Sequence, residues 1–350
     1  MVGHGRGALV KGAGVAPLPF GAHQRTLRAT PGAQSGGIGM HETGLDKTTI
    51  AILGAGLIGC SWAALFQHHG ATVRLWDPDA KARASAHSRM ARPLQHLAEL
   101  DGQPAHHPTR GQLQICTELA QALEGADLVQ ENAPESVPLK HALFAQIEAL
   151  APAHTIFASS TSALTWSDLA PGMAQPNRLI TAHPYNPPHL VPLVEIYGPD
   201  PALVARASAI YAHAGRVPVG MKKDATGHIA NRLAAALWRE AVHIVAEGIA
   251  DVGAVDAALK HGPGLRWSVL GAHMAYHLGG GAGGMAGYLA HLGPSQERRW
   301  ASLGTPSLTP ETCAALIEGV TQAADGRSID ELEQARDRAL IAALKARQSA

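Results

Sequence analysis

Two residues able to handle a proton stand close together in this chain. His183 sits in His183-Pro-Tyr-Asn-Pro-Pro188, and Glu195 lies inside the apolar run Leu193-Val-Glu-Ile-Tyr197. An imidazole changes charge near neutral pH and can take a proton from a hydroxyl. A carboxylate in an apolar strand is costly unless something pairs with it. Glu195 holding one ring nitrogen of His183 would satisfy that charge and fix the tautomer of the ring. The alternative is a loop-capping histidine and an unrelated glutamate. The chain has 20 histidines, and the rest are scattered. His68-His69 and His106-His107 are adjacent pairs that cannot share a helix face, and no H-E-x-x-H occurs, so no metal site is expected.

A proton acceptor supports oxidation only beside a hydride carrier. Gly54-Ala-Gly56-Leu57-Ile58-Gly59 fits G-x-G-x-x-G after the apolar Ile50-Ala-Ile-Leu53. Gly54 permits the tight turn, Gly56 lets a pyrophosphate approach the backbone, and Gly59 lets the next helix pack on the strand. The helix start offers free N–H groups to phosphates. Asp77 follows 18 residues after Gly59, at the end of a second strand. A carboxylate there accepts hydrogen bonds from ribose hydroxyls and repels a 2′-phosphate. With no basic residue next to it in sequence, it predicts NAD rather than NADP.

These residues need elements to position them. Strands are predicted at Thr49–Leu53, Val73–Leu75, Ala126–Asn132, Thr155–Ala158, Arg178–Ala182 and Leu193–Tyr197. Residues 112–124 read as a short helix. Strands alternating with helices, with polar residues just past their ends, predict a Rossmann-like doubly wound sheet with one crevice at its carboxyl edge. From Asp224 the pattern changes. Ile229, Leu233, Leu237, Ala241, Ile244 and Val245 recur at helical spacing until Gly248, and no strand alternation follows. Gly279-Gly-Gly-Ala-Gly-Gly284 is either a flexible loop or a turn covering a substrate. The expected division is a disordered extension over 1–46, a cofactor domain over 47–221 and an all-helical C-terminal domain over 222–350.

Composition narrows the function classes. The 350 residues carry no formal net charge, and 16% are charged. Nothing in that balance suggests a nucleic-acid surface or a polybasic membrane patch. Cys60, Cys116 and Cys313 are isolated, as reduced cysteines of a cytoplasmic protein would be. No apolar run approaches the ~20 residues of a membrane span. Residues 1–46 lack a signal-peptide core, and Met40 provides an alternative start just before the first strand.

Taken in order, Gly54 to Asp77, Ser159-Ser-Thr-Ser162, His183 to Glu195 and Gly227-His-Ile-Ala-Asn-Arg-Leu233 resemble the L-3-hydroxyacyl-CoA dehydrogenase superfamily over roughly residues 49–300. The resemblance implies that His183 is the base and Glu195 its orienting carboxylate. It implies that Ser162 bonds the reacting oxygen near the nicotinamide and that Asn231 holds the substrate carbonyl or carboxyl end. Glu135 and Lys140 match cofactor-contacting positions, and the helical domain is implied to form a homodimer.

His261-Gly-Pro-Gly-Leu-Arg-Trp267 and the glycine run are similar to the carnitine dehydrogenase and lambda-crystallin (gulonate dehydrogenase) branch, whose members act on free 3-hydroxy acids. The CoA enzymes carry a lysine-rich segment after the second strand. Here Lys81, Arg83, Arg89 and Arg92 stand without a lysine cluster, which weighs against a CoA thioester. Ala282 replaces a glutamate of the carnitine enzymes, which weighs against carnitine itself. Arg266 is a candidate to grip a substrate carboxylate. Aromatic faces hold a quaternary ammonium, and Tyr185, Trp267 and Tyr276 are the aromatics nearest the matched motifs, with a core position the alternative for each. The expected activity is NAD-dependent oxidation of a short 3-hydroxy acid. The rival readings are a short-chain 3-hydroxyacyl-CoA dehydrogenase and a non-catalytic, crystallin-like NAD-binding protein.

Overall fold

The computed structural model describes residues 44–104 and 110–348. The elements run β1 (Thr49–Leu53), α1 (Leu57–His68), β2 (Thr72–Trp76), α2 (Ala80–Leu100), β3 (Gln112–Ile115), α3 (Leu119–Leu123), β4 (Leu128–Glu131), α4 (Val137–Leu150), β5 (Ile156–Ser159), α5 (Trp166–Leu169), β6 (Leu179–Pro184), β7 (Leu193–Tyr197), α6 (Pro201–His213) and β8 (Val217–Gly220). Helices follow: α7 (Ala230–Ala246), α8 (Val252–His261), α9 (Pro263–Val269), α10 (Ala272–Gly279), α11 (Gly284–Ala301), α12 (Pro310–Ala324) and α13 (Ile329–Gln348).

The strands form one eight-stranded sheet in the order β3-β2-β1-β4-β5-β6-β7-β8. Every pairing is parallel except β6 with β7. Alternation along β1 divides the core. Ile50 and Ile52 pack with Trp62, Phe66 and Tyr211 on one face, while Ala51 and Leu53 pack with Phe144, Ile147 and Phe157 on the other. Burial on both faces is why the central strands read as continuous apolar runs.

Two edges differ from expectation. Residues 112–115 form β3, with Gln112 and Gln114 turned outward, so the helix predicted for 112–124 shrinks to α3. A one-sided edge strand with polar residues at alternate positions carries little of the apolar signal that marks a buried strand. β8 also extends the sheet beyond the predicted strands, with Pro218 tolerated at the edge. At the amino end, residues 1–43 of the expected extension lie outside the described residues. Leu45 is already core, however, and its N–H donates to the His69 carbonyl.

Among the described residues no strand follows Gly220. Gly248 ends the helical repeat of α7 at φ +67°, a conformation that suits glycine. The glycine run is not a loose loop. α10 runs into it and α11 starts at Gly284, and a Cβ on Gly280 would lie 1.8 Å from the Gly284 carbonyl oxygen.

Candidate active site

The antiparallel β6–β7 pair sets His183 directly opposite Glu195. Directly opposed residues project on the same face of the sheet. Here His183 Nδ1 lies 2.9 Å from Glu195 Oε2, and both side chains are buried. The other carboxylate oxygen accepts the N–H groups of Ile229 (2.8 Å) and Ala230 (2.9 Å), at the start of α7. Burial pushes the Glu195 carboxyl upward, but the His183 ring and these two N–H groups outweigh it, and the net shift is down. Glu195 is therefore an anion that only accepts. His183 Nδ1 must carry the donated proton, which leaves Nε2 with a free lone pair. Asn231 Nδ2 lies 3.5 Å from that Nε2.

The sheet's carboxyl edge supplies the rest. Glu135, in the loop after β4, accepts from Thr161 Oγ1 (2.8 Å), Ser162 N (2.6 Å) and Ser162 Oγ (3.1 Å). Burial works to raise its carboxyl, but those bonds and the Lys140 charge hold it below the usual range. With its proton given to Glu135, the Ser162 hydroxyl keeps lone pairs free to accept. Glu135, Ser162, His183, Tyr185 and Asn231 line one crevice of about 540 Å³, together with Ile58 from the glycine-rich turn.

The structure separates other sequence candidates from this crevice. Lys140 is fully buried beneath it, bonded to Glu131 Oε1 (2.7 Å) and Oε2 (2.8 Å) and to the Ala133 carbonyl (3.0 Å). It secures the loop that carries Glu135 and does not line the crevice. Arg266 and Trp267 on α9 and Tyr276 on α10 do not line it either; Tyr276 packs on Tyr288 at 5.0 Å.

Two residues escaped sequence reading. Glu131 is buried in β4 and bonds the Ala133 N–H as well as Lys140. His228 stacks on His183 with ring centroids 4.7 Å apart, on a backbone at φ +50°. Glu131 could have been found as Glu195 was, as a charge in an apolar strand. The stacking of His228 had no sequence signal.

The amino-terminal turn fits a dinucleotide. A Cβ at Gly59 would stand 1.8 Å from the Gly54 carbonyl oxygen, while a Cβ at Gly56 would meet nothing within 4 Å. The turn is thus closed behind and open in front. α1 begins without a side-chain cap or an acidic residue in its first turn, leaving its N–H groups to an incoming anion. Exposed Leu57 and half-buried Ile58 follow Gly56. Asp77 accepts from Ala55 N (2.7 Å) and Asp79 N (2.8 Å), which holds its carboxylate at the end of β2. Arg83 folds back to the Asp77 carbonyl oxygen (2.6 Å), so a basic residue does lie near Asp77, committed to the backbone.

A glycine-turn cradle on a doubly wound sheet, facing an oriented imidazole at the same edge, defines a nicotinamide-dependent dehydrogenase acting on a CH–OH group. Comparison with known proteins agrees. Residues 49–225 match the family model for the 3-hydroxyacyl-CoA dehydrogenase NAD binding domain, and residues 227–305 match its C-terminal domain. The L-carnitine dehydrogenase of Streptomyces griseus is 42% identical over 304 residues, covering 86% of this chain and 90% of the relative. That of Pseudomonas putida is 38% identical over 301 residues, covering 85% and 93%. Among solved structures, an NAD-dependent 5-formyl-3-hydroxy-2-methylpyridine 4-carboxylic acid 5-dehydrogenase aligns with a TM-score of 0.71 at 27% identity, over 84% of this chain and 96% of that one. The chain belongs to the 3-hydroxyacyl-CoA dehydrogenase family. It is an NAD-binding oxidoreductase, as the resemblance implied, and the non-catalytic reading falls away.

Proposed function

We propose that the protein oxidises the 3-hydroxyl of a short, free 3-hydroxy acid to the 3-keto acid, with L-carnitine the foremost substrate. The observation that carries the chemistry is the His183–Glu195 pair, whose geometry leaves Nε2 as the one basic lone pair of that ring facing Asn231. The 42% identity to L-carnitine dehydrogenases supports the substrate. It outweighs the substitution at Ala282, which lies in the turn between α10 and α11 and does not line the crevice.

In this reading the substrate hydroxyl donates to His183 Nε2. As the C3–H bond breaks, the hydroxyl proton passes to that nitrogen and a carbonyl forms. NAD, when bound, accepts the hydride. Glu195 stabilises the imidazolium that results and prevents the ring from turning. Ser162 and Asn231 hold the oxygen and the adjoining carbonyl or carboxyl end. Tyr185, an aromatic in the crevice wall, is placed to face a quaternary ammonium.

A homodimer is part of the proposal. The helical half exposes Leu233, Trp238, Leu265, Leu278, Leu289 and Trp300, apolar side chains that a second copy would cover. Among the described residues no helix is long and apolar enough to cross a membrane, and a cytoplasmic location is the reading that goes with three unpaired cysteines.

The test is NADH formation with L-carnitine, 3-hydroxybutyrate, L-gulonate and 3-hydroxybutyryl-CoA. The free acids are expected to give the higher kcat/KM. A strong preference for the thioester, with the free acids inert, would overturn the substrate assignment.

A further inference from the structure

A second hollow of about 640 Å³ meets the catalytic crevice at Asn186, which lines both. Gly56 and Leu57 form one side, α2 another, and α13 closes it from the far end of the chain. Arg92 of α2 reaches Asp330 of α13 at 2.6 Å, and within α13 Arg336 pairs with buried Asp337 at 2.8 Å. Three guanidiniums line the hollow. Two of them, Arg92 and Arg336, are neutralised by these acids of α13.

Arg89 is the exception. Its guanidinium donates to the Ala55 carbonyl at 2.7 Å, and among the described residues it forms no ion pair. A carbonyl orients a guanidinium without neutralising it and leaves further N–H donors free. An oriented, uncompensated cation therefore stands in the hollow that adjoins the hydride-transfer site. Arg266, the sequence candidate for a carboxylate, lines neither cavity.

We propose that this hollow receives the acid end of the substrate, with Arg89 as the carboxylate anchor and α13 as the wall that limits what else can enter. The proposal rests on the free-acid reading above. Its chemistry is the charge-assisted, two-pronged bond that a guanidinium makes with a carboxylate. A second anion could also reach Arg89, because the Ala55–Gly56 turn it touches is where a pyrophosphate would lie. The experiment separates the two.

The measurement is equilibrium binding to the enzyme–NADH complex, read by nucleotide fluorescence, where L-carnitine has no hydride acceptor. The probes are L-carnitine and β-methylcholine, which is the same molecule without its carboxylate. Arg89→Gln is expected to weaken L-carnitine roughly 10- to 100-fold, the scale of a lost charge-assisted hydrogen bond, and to leave β-methylcholine and NADH binding unchanged. Arg89→Lys, which keeps the charge and loses the fork, should recover part of the loss. Unchanged L-carnitine binding in Arg89→Gln would overturn the anchor and leave the substrate reading intact. Weaker NADH binding with unchanged L-carnitine would assign Arg89 to the pyrophosphate and overturn the anchor as well. Equal loss for both probes would show that Arg89 acts through the fold. If the wild-type complex binds neither L-carnitine nor 3-hydroxybutyrate, the free-acid reading itself falls, and the anchor with it.

Discussion

His183 can act as a base only from the side of its ring turned away from Glu195. His183→Ala is expected to lower kcat by ~10²–10⁴, the usual scale for a general base, with NADH affinity unchanged; near-normal turnover would mean that the base lies elsewhere. Glu195→Gln should lose less, because the ring keeps its Nε2 and loses only its orienting anion. At Asp77 the expectation is a higher kcat/KM with NAD than with NADP, since the carboxylate would meet the 2′-phosphate. Arg83 stands nearby with its Nη1 on the Asp77 and Pro78 carbonyls, so the measured preference sets the Asp77 carboxylate against that charge. Equal rates with the two cofactors would refute that reading. The His183–Glu195 pair was legible because a carboxylate inside an apolar strand demands a partner. Lys140 was singled out because its position in the chain matches a cofactor contact, and only the three-dimensional arrangement shows its ammonium turned inward to Glu131.

Elements gave up their identity to the sequence in proportion to their burial. β1, β4, β5 and β6 are covered on both faces and read as apolar runs, whereas β3 and β8 lie at the sheet edges, β3 with alternate glutamines and β8 as a four-residue stretch broken by Pro218. The glycine turn announced itself through spacing, and Gly59 is sterically required there. Between elements, the Lys140–Glu131 pair ties α4 to β4. Lys140→Met should destabilise the fold by about 3–5 kcal/mol, the cost of leaving one buried charge unpaired, seen as a lower Tm; an unchanged Tm would show that the pair contributes nothing. Between α1, α2 and the loop after β6, Ser61 Oγ accepts the His189 backbone N–H (3.0 Å) and is hydrogen-bonded to His189 Nδ1 (2.8 Å). His189 Nε2 in turn lies 3.1 Å from His96 Nδ1, with the two rings stacked. Burial pushes His189 down from 6.5 to about 3 and His69 down to about 4. A depressed histidine takes up its proton more readily in the unfolded chain. Stability is therefore fully present above about pH 6.5 and is lost as pH falls toward 3 to 4. Tm should fall across that window, and His189→Gln should flatten the slope. A Tm independent of pH there would contradict the buried neutral state.

At the scale of the molecule the two halves bury their apolar residues very differently. The sheet half hides Ile50, Ile52, Trp62, Phe66 and Phe157 completely. The helical half of the single chain, in contrast, has Val242 as the one buried residue of α7 and none in α9, α10 or α12. Leu233, Leu265, Leu278, Leu289, Trp300 and Ile317 are each more than half exposed. Exposed apolar residues in this number are what the proposed second copy would cover, and α7 reads from sequence as a core helix because its apolar spacing is the same whether that face is covered from within the chain or from outside it. The helical half should therefore owe much of its stability to association, which makes Tm depend on protein concentration. Sedimentation at micromolar concentration is expected to show a dimer. The double substitution Leu278→Asp and Leu289→Asp, placing charges on α10 and α11, should shift it toward monomer and lower the Tm. A wild-type monomer whose Tm does not change with dilution would show that these helices are stable with their apolar faces in water.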